Sequence, residues 1–459
     1  MPDSLVETFE QRLECASGAG YVALLLNSVG HARVTPAQLN RIQEEVATIS
    51  EDVVLNIFPN DALLSNFVLN MWELAHGKEV VKSRPWNISL PISDLCNARC
   101  SFCTSWLDGK KLLSIDQLEM FEPVLRTAVY VGLVGHGEPL AHPQFPEICE
   151  RLDSYLDPRA ASYTITNGVY LAKWLDRLDK IRLASISCSL NAASAQTHAE
   201  VMGFPEDEFP RIVASLRTIA SGQASSSPIN VSITMVVTRQ NLHEIPAFIE
   251  LANELRVTSV YLRTLLPQGE LVLGLNYHLL PAYLHPEFEI HKQNARDAIA
   301  GSQVPVFAEI DTWSNPIFPN EVARSIELSP PQIVSRQEAL HNKEWRARRD
   351  QAYAASGSRH TGAANPAADG DLLTDGTNPL NRHAPFRCRA VYNNLYVNEL
   401  FLRMSPCCYL THTPGHDEIR LTDLGNIIEG WNSEALRNLR RTLDQGPLYG
   451  SCERCPAAW

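Results

Sequence analysis

The sequence predicts an α/β protein centred on a partial (β/α)6 barrel. Between 86 and 265, strand-like runs alternate with amphipathic helical stretches. The alternation makes six β-then-α steps, which require parallel strands joined by right-handed crossovers. Six units suit an open barrel better than a closed eight-fold one, and they place chemistry at the C-terminal strand ends.

The strand-like runs are "WNISLPIS" (86–93), "AVYVGLVG" (128–135), "SYTIT" (162–166), "LASISCSL" (183–190), "NVSITMVV" (230–237) and "SVYLRTLL" (259–266). Helical periodicity marks "SIDQLEMFEPVLR" (114–126), "FPEICERLDSYL" (145–156), "FPRIVASLRTIA" (209–220) and "LHEIPAFIELANEL" (242–255). Residues 1–85 read as a helical N-terminal extension, with "TPAQLNRIQEEVATI" opening on a Thr cap. They carry no recognisable chemistry and suit a cap or a partner-docking piece. Residues 266–385 are an irregular linker whose Gly-, Ala-, Asn-, Asp- and Pro-rich part, 355–385, predicts a long loop. Residues 386–459 are a compact unit with one helix, "NSEALRNLRRTL" (432–443).

The chain has 459 residues, enough for a sizeable core and more than one domain. A formal charge of −13 argues against a nucleic-acid partner, which needs clustered Lys and Arg. No apolar run approaches a membrane span, and the N-terminus lacks a signal-peptide layout, so no membrane partner and a cytoplasmic location are expected.

Eleven cysteines are unusual for that compartment, where disulfides are disfavoured, and grouped thiols there point to metal. Cys96, Cys100 and Cys103 fall inside "CNARCSFC" (96–103), directly after the first strand. Three thiolates can hold three irons of a 4Fe–4S cluster and leave the fourth iron open for chemistry. Phe102 could shield such a cluster. A structural zinc knuckle is the alternative, but no His or Cys follows closely enough to complete four ligands. The second group is Cys388, Cys407, Cys452 and Cys455, with a terminal CxxC; gaps this long exclude a local zinc finger. Cys408 could replace Cys407, although adjacent strand side chains point to opposite faces, so only one should ligate. A zinc-ribbon-like staple remains open for this group.

These stretches resemble the radical S-adenosylmethionine (radical SAM) superfamily, with its partial TIM-type barrel. "CNARCSFC" is similar to the family's cysteine signature, and "GHGEP" (135–139) to its GGEP loop. Gly137, Glu138 and Pro139 keep that loop's pattern, whereas His136 departs from it. "TNG" (166–168) ends the third strand, "SCSLNA" (187–192) ends the fourth, and "VYLR" (260–263) lies on the sixth. The resemblance implies that the His136–Pro139 loop contacts the methionyl amino group of S-adenosylmethionine. It also implies that Asn167, Ser187, Ser189 and Asn191 belong to the cofactor site. It further implies reductive cleavage of that cofactor to methionine and a 5′-deoxyadenosyl radical, which abstracts hydrogen from a substrate. An electron donor such as flavodoxin or ferredoxin is implied too.

The C-terminal unit resembles the twitch domain, a shortened SPASM domain; "LGNIIEGWNSEALRNLR" (424–440) is similar to the SPASM linker helix. A complete SPASM domain would carry seven cysteines, so the resemblance implies one auxiliary 4Fe–4S cluster, on Cys388, Cys407, Cys452 and Cys455. Two 4Fe–4S clusters and S-adenosylmethionine are thus the expected cofactors.

Cys188 in "SISCSLN" shares strand phase with Ile186 and Leu190, opposite Ser187 and Ser189, and should pack against helices. Cys15 and Cys149 lie in helical patterns and read as core. The favoured expectation is oxidoreductase chemistry, dehydrogenation of a sugar- or aminocyclitol-like small molecule. Modification of a ribosomally made peptide is the runner-up, and a non-catalytic zinc scaffold the contrasting class.

Overall fold

The computed structural model describes residues 43, 46–56, 58–103, 111–135, 137–225, 228–265, 280–314, 390–398, 403–405, 419–420 and 427–445. His136, Cys15, Cys388, Cys407, Cys408, Cys452, Cys455 and the 355–385 stretch lie outside them.

In chain order the helices are α1 (Glu51–Asn56), α2 (Ala62–Ala75), α3 (Ile115–Glu119), α4 (Glu122–Leu125), α5 (Phe145–Tyr155), α6 (Leu171–Trp174), α7 (Ala195–Met202), α8 (Glu208–Ala220), α9 (Ile245–Leu255), α10 (Phe288–Ala300), α11 (Ala390–Asn393), α12 (Ile427–Trp431) and α13 (Glu434–Gln445). The strands are β1 (Asn87–Ser89), β2 (Tyr130–Leu133), β3 (Ala161–Thr166), β4 (Leu183–Ser189), β5 (Asn230–Val237), β6 (Ser259–Thr264), β7 (Val306–Ala308), β8 (Asn394–Asn398), β9 (Arg403–Ser405) and β10 (Ile419–Arg420).

They form one sheet in the order β10-β9-β8-β1-β2-β3-β4-β5-β6-β7. From β8 to β7 every neighbouring pair is parallel: the six expected barrel strands are β1–β6, and β7 and β8 extend the parallel sheet at its two edges. β7 comes from the linker, and β8 pairs with β1 across about 300 residues of chain, Ile88 opposite Leu395. β9 and β10 continue the edge antiparallel.

Alternation inside each strand decides what faces the helices. In β4, Ile186 and Cys188 are buried while Ser187 and Ser189 are only half-covered. Cys188 packs toward α8: a Cβ added at Gly168 would meet Ile212 at 2.6 Å and the Cys188 sulfur at 2.9 Å. β5 repeats the pattern, with Val231, Ile233 and Met235 buried and Ser232 and Thr234 on the other side. The helices answer with matching stripes, such as Ile245, Phe248, Ile249, Ala252 and Leu255 of α9. Each buried Leu, Ile or Val side chain contributes roughly 1.5–3 kcal/mol to this interface. Cys149 belongs to the same core.

The N-terminal extension is bound to the barrel. Asp61 caps α2 by accepting from Leu64 N at 3.0 Å and pairs with both terminal nitrogens of Arg159 at 2.6 and 2.8 Å. Opposite, Arg440 of α13 is fully buried and donates to the carbonyls of Val391, Glu79 and Trp431 at 2.9–3.1 Å. Burial holds its guanidinium down to about 10. Among the described residues, no helix is long and apolar enough to cross a membrane.

Candidate active site

The cysteine loop leaves β1 and is closed at its base by the chain returning at 111–113. Leu113 N donates to Ile92 O at 2.9 Å, and Asp94 N to Lys111 O at 3.1 Å. Within the loop, Cys103 N donates to Cys100 O at 3.2 Å, closing a tight turn between the two residues. Cys96 and Cys100 are both desolvated. Burial pushes the Cys96 thiol up to about 12, with the charges of Glu138 and Cys103 adding to it and Ala98 and Asn167 opposing through hydrogen bonds. Burial, then Cys103 and Cys96, pushes Cys100 well above the ordinary thiol range.

Cys96 and Cys100 therefore lie within electrostatic reach of Cys103, in surroundings that disfavour their own bare thiolates. An iron centre supplies the positive charge that makes three thiolates stable together. Among the described residues, these thiols included, no three His, Cys, Asp or Glu side chains converge on one ion. The donor set fits the 4Fe–4S cluster expected at Cys96, Cys100 and Cys103.

The second loop, after β2, lies directly on the first. A Cβ on Gly135 would meet Pro91 Cβ at 2.3 Å, and one on Gly137 would meet Ser93 O at 2.3 Å and Asp94 backbone at 2.6 Å. Glycine is required at both positions by close approach, not by unusual φ. Glu138 N donates to Leu95 O at 2.6 Å, so the Gly-Glu-Pro segment is laced to the residue preceding Cys96. Pro139 opens a 3-10 turn, Pro139–Ala141, whose N-cap is Glu138.

Glu138 is buried and its carboxylate accepts from three donors. These are Leu140 N at 3.0 Å, Thr166 Oγ1 at 2.7 Å and Asn167 N at 2.7 Å. Burial raises its pKa to about 7 against the pull of those hydrogen bonds. Asn167 joins both loops to the end of β3: its Nδ2 donates to Asn97 Oδ1 at 2.8 Å, next in sequence to Cys96.

Ser187 and Ser189 lie on the sheet face turned away from the helices. Ser187 Oγ is 3.2 Å from Thr234 Oγ1, and in register Ser187 stands beside Ser232 and Ser189 beside Thr234. This row of hydroxyls leads across the sheet to Tyr261 and Arg263 of β6. Asn191 is 1% exposed, with a left-handed backbone at φ +57°. Its Oδ1 accepts from Val236 N at 2.8 Å and its Nδ2 donates to Ser189 O at 3.2 Å, so its amide binds neighbouring strands.

The site also contains residues that no local pattern flagged. His142 is buried, with Nε2 3.1 Å from Leu113 O and Nδ1 accepting from Gln144 N at 3.0 Å, and so steadies the base of the cysteine loop. Gln240, after β5, accepts from Ser101 Oγ at 2.8 Å. Both contacts join residues tens or more positions apart.

An open parallel barrel carries a three-thiol loop after β1, bound to a Gly-Glu-Pro loop after β2, and this is the arrangement of a radical SAM domain. Residues 90–252 match the family model described as Radical SAM superfamily, and this part of the chain is a radical SAM superfamily domain. The chain is 23% identical over 176 residues to a GTP 3′,8-cyclase 1 of Mycobacterium tuberculosis, covering 36% of this chain and 48% of that protein. It thus spans about half the length of that relative. It is also 26% identical over 245 residues to a probable GTP 3′,8-cyclase of Saccharolobus islandicus, covering 50% of this chain and 76% of the relative. Among solved structures it is similar to Streptococcus suis SuiB, at 14% identity and a TM-score of 0.48, covering 88% of this chain and 78% of the other.

Proposed function

We propose that the chain is a radical SAM enzyme acting on a small polar molecule, favoured as dehydrogenation of a sugar- or aminocyclitol-like substrate. The observation that carries the enzymatic part is the position of Asn167, which hydrogen-bonds Asn97 of the cysteine loop on one side and Glu138 on the other. A cysteine loop that were only a structural staple would have no need of that tie. When bound, the 4Fe–4S cluster and S-adenosylmethionine supply a strongly oxidising carbon radical at the C-terminal edge of the barrel. Cys96, Cys100 and Cys103 would hold the cluster, and His136–Pro139, Asn167, Ser187, Ser189 and Asn191 would form the cofactor site. Residues on this face would orient the cofactor and keep water from the radical.

The hydroxyl row of Ser187, Ser189, Ser232 and Thr234 beside the cysteine loop supports a polar substrate, since these groups offer hydrogen bonds and little apolar area. The relatives are named for chemistry on a nucleotide, which is also a small polar molecule. Cys388, Cys407, Cys452 and Cys455 are proposed ligands of an auxiliary 4Fe–4S cluster in a twitch-like unit. An external donor of the flavodoxin or ferredoxin kind would deliver the initiating electron.

The test is anaerobic incubation with S-adenosylmethionine, reductant and a panel of aminocyclitols, sugars, nucleotides and peptides, read by mass spectrometry. A polar small molecule lighter by one H2, formed together with 5′-deoxyadenosine, supports the reading. A modified peptide as the only product overturns its substrate half. Zinc-loaded protein that takes up no iron overturns all of it.

A further inference from the structure

We propose that the C-terminal end of α7 is the seat of the cysteine loop, and that Met202 on it is a positioning residue for Cys100. The inference rests on the reading of that loop as a cluster site and adds a residue that no motif marks.

Two backbone hydrogen bonds bracket Cys100: Arg99 N donates to Met202 O and Ser101 N to Val201 O, both at 2.9 Å. The last carbonyls of a helix have no partner within it, so α7 offers acceptors where the loop has spare N–H groups. The helix is stopped there by Gly203, at φ +72°, where an added Cβ would stand 2.8 Å from Arg99 Cβ and 3.0 Å from Arg99 O. Only glycine both ends the helix in this way and lets the loop lie on it.

The side chains repeat the arrangement. Cys100 Sγ lies 3.6 Å from Met202 Sδ, and that thioether accepts from Asn191 Nδ2 at 3.0 Å. Asn191 is itself held on every side: its N donates to Thr234 O at 3.1 Å, and its carbonyl accepts from Asn241 Nδ2 at 2.9 Å. A left-handed Asn persists when its surroundings over-determine it, and here they do. Ala98, Val201, Met202 and Phe204 form a small apolar cluster against which Cys100 and Phe102 pack.

Met202 therefore fixes the Cys100 sulfur and keeps water from it. Burial disfavours the more negative, reduced state of a cluster, so a dry Cys100 holds the potential low, and water admitted beside it raises the potential.

The test compares the full chain with Met202→Ala and Met202→Leu after anaerobic reconstitution with iron and sulfide. It follows the cluster signal that responds to S-adenosylmethionine, by its loss to an iron chelator and by its midpoint potential. Circular dichroism checks the fold. Met202→Ala is expected to lose that signal about 10-fold faster and to titrate at higher potential. Met202→Leu, which fills a similar volume, should stay near the parent chain in both. If Met202→Ala does not fold, Asn191→Gly keeps the positive φ, removes the grip on the thioether, and is expected to move both readings the same way. A foldable Met202→Ala, or Asn191→Gly in its place, with unchanged loss rate and potential overturns the inference alone. A parent chain that forms no such cluster overturns the reading beneath it as well.

Discussion

The backbone N–H of Asn167 donates to the buried carboxylate of Glu138 at 2.7 Å, tying the loop after β3 to the loop after β2. Because the Asn167 side chain also donates to Asn97 at 2.8 Å, three strand ends converge on the cysteine loop. Glu138 is an acceptor three times over and a donor nowhere, which makes it sensitive to the loss of one oxygen.

Replacing Glu138 by Gln turns at least one of the three N–H or O–H donors toward an amide NH2. A buried donor left without an acceptor costs about 1–3 kcal/mol. Urea unfolding of Glu138→Gln should show a loss of that size; a change inside about 0.5 kcal/mol would contradict the inward-facing role.

Gly137→Ala brings a Cβ against the backbone of Ser93 and Asp94, which cannot rotate away. The two loops must separate, at a cost of about 1–3 kcal/mol. Lower stability together with weaker cluster retention is expected. An alanine variant that matches the parent in both would show that the loops do not touch as described.

His198 is fully buried between Phe204 and Phe209, and neither ring nitrogen has a hydrogen-bond partner. Burial alone pulls its pKa down to about 4 from an unfolded value near 6.5. The unfolded chain therefore binds the extra proton first as pH falls. This contribution to stability is intact above pH 6.5 and is lost as pH falls toward 4. Between pH 7 and 5 the parent should lose roughly 2 kcal/mol that His198→Leu does not lose. Parallel stability curves for the two proteins would contradict it.

Arg440→Ala leaves the carbonyls of Val391, Glu79 and Trp431 buried without their shared donor. Leaving a buried carbonyl without its donor costs about 1–3 kcal/mol. Hydrogen exchange should accelerate first in β8 and α13, because Arg440 fastens α13 to the segment that feeds β8. Exchange confined to other strands would contradict that coupling.

The barrel was legible where periodicity was strong. "NVSITMVV" alternates without interruption, and β5 occupies the same residues, 230–237. The stretch 114–126 reads as one helix but forms two, α3 and α4, with Pro123, which lacks an N–H, in the first turn of α4. β7 is only three residues long and lies in the irregular linker, and β8 draws its partner β1 from about 300 residues away. The cysteine loop and the Gly-Glu-Pro loop announced themselves by spacing and residue type. The Asn191 amide is bonded to Val236, Ser189 and Met202. Neither that arrangement nor the contact of Met202 with Cys100 has a local signature, because both depend on β4, β5 and α7 meeting in space.

The most direct measurement is 5′-deoxyadenosine formed by the anaerobically reconstituted chain with S-adenosylmethionine and reductant, set beside Cys96→Ala, Cys100→Ala and Cys103→Ala. The parent chain should be brown and release 5′-deoxyadenosine, and each variant should lose that activity. Cofactor cleavage that persists in any of the three variants, or a colourless parent carrying zinc, would contradict the assignment of these cysteines to the reactive cluster.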